Sequence, residues 1–116
     1  MIETTLISYL SSELSVSVYA ERPEIIPESY VLIEKTGSTT ENMITTSTIA
    51  IQSIVDSLQG GSLLDAMTLN EDVKDAMSAL TELDDIVKVS LNSDYNYTDG
   101  NTKEYRYQAV YQITHY

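Results

Sequence analysis

Lys103-Glu-Tyr-Arg-Tyr-Gln-Ala-Val-Tyr-Gln-Ile-Thr-His-Tyr116 is the stretch that decides the fold. Tyr105, Tyr107, Ala109, Tyr111 and Ile113 alternate with Arg106, Gln108, Gln112 and Thr114. A period of two over this length predicts a long strand in a sheet that buries one side and wets the other. Standing last, the strand is expected to complete that sheet.

Upstream, Thr98-Asp99-Gly100-Asn101 is strong turn chemistry, and Ile86 to Tyr97 alternates again with Val87, Val89 and Leu91 on one face. The two strands therefore read as a hairpin. Before it, Leu63, Ala66, Leu69, Val73, Met77 and Leu80 form one apolar helical stripe, with Ser62 and Asp65 spaced as a capping box. Thr68 and Asn70 are mediocre helix residues and are candidates for a kink or a second helix start. Gly60-Gly61 reads as a plain linker ahead of this helix.

Met43 to about Val55 is rich in Thr and Ile and suits a strand long enough to project beyond the sheet. Gly37 to Asn42 reads as a polar loop, and Tyr30 to Thr36 as a strand whose Val31-Leu32-Ile33 core places it centrally. Both prolines lie in Arg22–Pro27, an extended connector. Residues 15–20 alternate as a first strand, and residues 2–12 space Ile2, Leu6, Tyr9 and Leu10 as a short amphipathic helix. The order is helix, three strands, helix, two strands. That predicts one α+β domain over residues 1–116, a mostly antiparallel sheet of about five strands with two helices packed on it.

A chain of 116 residues can bury a core without a staple. Tyrosine is its only aromatic, and six of the nine lie after Asp94, which suits a sheet face meeting a helix or another subunit. Net charge is −12, with six basic residues scattered singly, so a duplex-gripping surface is excluded. Cysteine is absent, which rules out disulfides and thiolate metal sites. No signal peptide or membrane-spanning segment is legible, so the Asn96-Tyr97-Thr98 sequon is read as chance and the cytosol as the expected compartment.

Catalytic constellations fare poorly. The only histidine, His115, sits at a strand end beside the last residue and reads as exposed. Glu71, Asp72 and Asp75 are spaced for one solvated helix face. The run from Asp94 to Asn101 departs from a calcium loop, since Gly100 falls at the seventh position and Tyr105 at the twelfth. Tyr105, Tyr107 and Tyr111 could stack bases, but only Lys103 and Arg106 lie nearby, so a core or subunit-interface role is expected instead. The reading is of a non-enzyme with no cofactor and no metal.

Taken in order, Val16-Ser-Val-Tyr19, Tyr30-Val-Leu-Ile-Glu-Lys-Thr-Gly37, Ala50-Ile-Gln-Ser53, Leu69-Asn-Glu-Asp-Val-Lys74, Leu91-Asn-Ser-Asp-Tyr95 and Tyr105-Arg-Tyr-Gln108 resemble the tail-terminator, or tail-completion, proteins of long-tailed phages and prophages. The likeness runs over nearly the whole chain. Its motifs are structural signatures without chemical specificity, and Gly60-Gly61 and Thr68 depart from the more regular helix start of the family.

The resemblance implies a ring, in the family a hexamer, that caps the tail-tube protein, ends its polymerisation and joins the tail to a head-completion or connector protein. DNA passes through the lumen without specific binding, and no membrane is involved. The protein is expected in the virion at the head–tail junction, assembled in the cytoplasm of the bacterial host. The polar excursions from the inferred sheet are the expected subunit or tube contacts: Gly37, Thr39, Thr40, Asn42 and Thr45 in one, and Tyr95, Tyr97, Asp99, Asn101 and Arg106 in the other. A head-closure or head–tail adaptor protein is the alternative within the same junction. A monomeric binding module or small enzyme is the alternative outside it.

Overall fold

A computed structural model describes residues 1–116. Helix α1 (Ile2–Glu13) leads to strands β1 (Ser17–Tyr19), β2 (Ser29–Glu41) and β3 (Ile44–Asp56), helix α2 (Leu63–Met77), and strands β4 (Ile86–Asn96) and β5 (Glu104–His115). Short 3-10 turns at Ser57–Gln59 and Leu80–Glu82 flank α2. The sheet order is β1-β2-β3-β5-β4, antiparallel throughout except for β1 beside β2. This is the α+β architecture read from the sequence. No helix is long and apolar enough to cross a membrane.

Both helices lie on one face. Ile2, Leu6 and Leu10 of α1, and Leu69, Val73 and Met77 of α2, pack on Ile33, Ile49, Ile51 and Ile113 in one core cluster. Each such aliphatic side chain contributes about 1.5–3 kcal/mol by leaving water. The capping box of α2 is formed: the Asp65 amide donates to Ser62 Oγ at 3.2 Å, and the Ser62 amide donates to Asp65 Oδ2 at 3.1 Å. The helix continues unbroken through Thr68, whose hydroxyl donates to the Leu64 carbonyl, and Asn70, which is buried against β4.

Four expectations need correcting. Gly37–Asn42 is not a loop: β2 continues through it to Glu41, and a two-residue turn, Asn42–Met43, leads straight into β3. Both turn residues have positive φ (51° and 66°), as a type I′ hairpin turn requires. β3 does not project alone, because β2 accompanies it to Ile44 and β5 to Thr45. Val87 leaves the apolar face of β4 because the register slips between Ile86 and Lys88, and it stands exposed. Gly60-Gly61 is more than a linker: Gly60 has φ 91°, and a Cβ on Gly61 would come within 2.0 Å of Val55 Cγ1 and 2.9 Å of the Asp56 carbonyl oxygen.

The far face of the sheet is also drier than alternation implies. At its lower end Tyr30, Ile54, Gln52, Glu104 and Gln108 are all buried. The proline connector is tied to this end where Arg22 reaches Glu104 and where Gln59 Nε2 donates to the Ile26 carbonyl, and Gln108 pairs with Gln52 and Tyr95. Polar residues in a strand can thus be buried when they pair with each other.

Gly61→Ala is expected to lower stability by about 1–3 kcal/mol through overpacking, whereas Gly37→Ala, which meets nothing within 4 Å, should change it by less than about 0.5 kcal/mol. Met43→Gly should stabilise by up to about 1 kcal/mol, because glycine carries no penalty at positive φ. Urea midpoints of the three variants measure all of this.

Candidate functional site

The expected contact residues fall into two groups at opposite ends of a molecule 47 Å long and about 25 Å across. At one end Thr40 faces Thr45 across the β2–β3 ladder, their hydroxyls 2.9 Å apart, and Thr39, Glu41, Asn42, Ile44 and Thr46 line a shallow hollow of about 270 Å³. Gly37 through Asn42 are exposed. Threonine-rich pairs favour extended backbone while offering hydroxyls to a partner.

At the other end, the β4–β5 hairpin tip is shaped by its own side chains. Asn96 Oδ1 accepts the Thr98 amide at 3.0 Å, and Asp99 Oδ1 accepts the Asn101 amide at 2.9 Å. Such Asx contacts define a turn without outside help. Tyr95 and Tyr97 meet edge to face with ring centroids 6.1 Å apart, and both are partly exposed. Gln52 donates to Gln108 at 3.1 Å, and Gln108 donates to the Tyr95 hydroxyl at 2.6 Å, a relay across β3, β5 and β4.

Arg106 does not belong with the free tip residues. Its guanidinium turns inward and donates to Glu104 Oε1 at 3.0 Å, beside Arg22 on the same oxygen at 2.5 Å, while Tyr30 donates to Oε2 at 2.7 Å. Glu104 is 5% exposed. Burial pushes its carboxyl up, but the bonds from Tyr30, Arg22 and Arg106 outweigh that and hold it below the ordinary glutamate range. Burial, and then the bond to Glu104, pushes the Tyr30 phenol up to about 12. This knot ties the proline connector, β2 and β5 together. Sequence reading missed it because two of its three partners, Tyr30 and Arg22, stand 74 and 82 positions from Glu104.

A second cluster joins α2 to β4. Lys74 donates to Asp94 Oδ2 at 2.9 Å and lies 3.0 Å from Glu71, and Asn70 donates to the same Asp94 oxygen at 2.9 Å. The Lys74 bond holds the Asp94 carboxyl below its usual range. Asp94, the first residue of the calcium-like run, is therefore a helix anchor. Glu71, Asp72 and Asp75 are exposed on the outer side of α2.

His115 is half-buried rather than exposed. Its Nε2 lies 2.9 Å from Ser47 Oγ, and its Nδ1 is 3.1 Å from the Tyr116 carbonyl oxygen. Ser47 is 1% exposed and no carboxylate orients the ring, so the pair joins β3 to β5 and offers a substrate no hydroxyl. Tyr111 is buried and Tyr105 and Tyr107 are half-buried. No group of three or more His, Asp or Glu side chains is placed to hold a metal ion.

No protein-family model matches the chain, and no curated protein matches it.

Glu104→Gln should cost about 2–3 kcal/mol at neutral pH by leaving two arginines without their counter-charge. Because the folded value is lowered, the wild-type advantage is complete above the ordinary glutamate range. It fades as pH falls through the lowered value, so urea midpoints of the two proteins converge in acid. In alkali the sign reverses. The Tyr30 contribution is full below about pH 10 and lost as pH rises through about 12, so tyrosinate absorbance should show Tyr30 and Tyr111 ionising last, with unfolding.

Proposed function

We propose that this chain is a structural virion protein of the tail-terminator class. It forms a ring on the end of a phage tail tube, stops the tube's growth and presents the surface that receives the head. The reading rests on the ordered sequence resemblance. The one geometric observation that carries it is the placement of two polar hairpin tips at opposite ends of a long, rigid sheet. A subunit that stands between a tube and a head needs two separate contacts, and a sheet of 11- to 13-residue strands spans about 35–45 Å between them.

In this reading the β2–β3 tip around Asn42 and the β4–β5 tip around Asn101 serve different partners. The acid-rich surface, with seven acids against Lys74 in residues 62–85, repels passing DNA. Nothing in the proposal calls for a cofactor.

Particles assembled without this chain should carry overlong, headless tails in electron micrographs. Tails of normal length beside unattached heads would assign the protein to head closure or to the head–tail adaptor instead, and normal virions would end both readings. Because Gly37–Thr46 is paired strand, its role is tested by substitution and not deletion. Asn42→Arg and Asn101→Arg should each leave a folded protein, within about 1 kcal/mol of wild type, and block different steps: one tube capping, the other head joining.

A further inference from the structure

Two strand edges of this sheet have no partner. β1 covers β2 only from Tyr30 to Leu32, so β2 is bare from Ile33 to Glu41. At the opposite margin all of β4 is bare. No backbone hydrogen bond leads outward from either edge to a loop or helix, apart from the Ile86 amide at the start of β4, which donates to Leu83.

The two edges fit each other. Traced across β3 and β5, Ile33 stands level with Asp94, Lys35 with Leu91, Gly37 with Ser90 and Thr39 with Lys88. The bare part of β2 therefore spans the same height as Ile86–Asp94, and β1 begins where that match ends. β2 and β4 run in opposite directions within the sheet, so copies related by rotation about an axis near the strand direction bring β4 of one beside β2 of the next, antiparallel. Bulges usually protect an edge. Here the slips at Lys35/Gly37 and Leu91/Ser93 lie at neighbouring heights, so they bend both edges together.

The side chains agree. Leu91 is 43% exposed on the edge of β4, and in this pairing the stem of the next copy's Lys35 lies over it. Lys88, one of only two basic side chains without an ion-pair partner in its own subunit, falls diagonal to Glu41 of the next copy on the same face.

We infer that β4 of one copy pairs with the exposed upper half of β2 of the next, joining subunits head to tail into a continuous sheet. This contact is heterologous, so it joins copies in series and not as a two-fold dimer, and the series closes into a ring when the rotation between neighbours divides the circle evenly. The inference rests on the ring-forming reading above and assigns the contact that makes the ring.

The chain has no cysteine, so introduced pairs report cleanly. In the full-length Thr39→Cys/Lys88→Cys protein, cross-strand neighbours would have Cα atoms about 4.5–5.5 Å apart, within disulfide reach. Inside one subunit the two sites are three strand spacings apart, roughly 14 Å, which forbids an internal bond. Oxidation of concentrated protein in about 1 M salt, where charge repulsion reaches only about 3 Å, should give a reducible ladder beyond dimer. Each single-cysteine variant should give none. No ladder from the double variant overturns the inference, as does a dimer formed by Thr39→Cys alone, which would mean β2 pairs with β2. The result is independent of tail morphology. A ladder together with normal virions in the absence of the chain would sink the tail reading and leave this contact standing; overlong tails without a ladder would do the reverse.

Discussion

Strand β3 is paired on both sides over nearly its full length, and this double pairing holds the other elements in place. Every residue from Ile49 to Asp56 is buried, so this strand has no wet face in its lower two-thirds. Ile49 and Ile51 meet the helix layer, while Ala50, Gln52 and Ile54 are buried on the opposite face, where Gln52 pairs with Gln108. A strand buried on both sides can satisfy its backbone only through two partners, and β2 and β5 supply them for twelve residues each. The outer strands then take their register from these two.

Charge is handled with economy in an acid-rich chain. Arg22 and Arg106 converge on Glu104, Lys74 holds Asp94 and Glu71, and Lys35 stands 3.8 Å from Glu3. Three of the six basic side chains, Arg22, Lys35 and Lys74, thus fix elements that are distant in sequence, and Arg106 reinforces Glu104 within β5. The buried pairing at Glu104 matters most, since a lone carboxylate at 5% exposure would be strongly unfavourable. The surplus acids remain on the surface, chiefly on the outer side of α2.

The same sheet that is closed in its centre is open at its margins. β1 is only three residues long, and β4 has a partner on one side only. An edge of this length invites pairing unless another strand covers it. The open margins and the polar tips point along different axes, one across the strands and one along them. Contacts between copies and contacts with unlike partners would then use separate surfaces.

Alternation in Lys103–Tyr116, the capping box at Ser62 and the turn at Thr98–Asn101 are local signals, and each corresponds to a strand, a helix start and a hairpin in the structure. Element order and fold class are legible in the sequence, because periodicity and turn chemistry act over a few residues. Sequence reading misjudged Gly37–Asn42, where threonine, glycine and charge suggested a loop, because ladder pairing to Thr45–Thr48 overrides weak local preference. Of the expected contact residues, Thr39, Thr40 and Thr45 stand together on the β2–β3 ladder, while the Arg106 guanidinium is engaged with Glu104. Which polar strand residues are buried, where Arg106 points, and that β2 and β4 have matching bare edges emerge only from the assembled fold. Those properties depend on which strands become neighbours, and that is settled by contacts between residues up to 82 positions apart, beyond the reach of any local pattern.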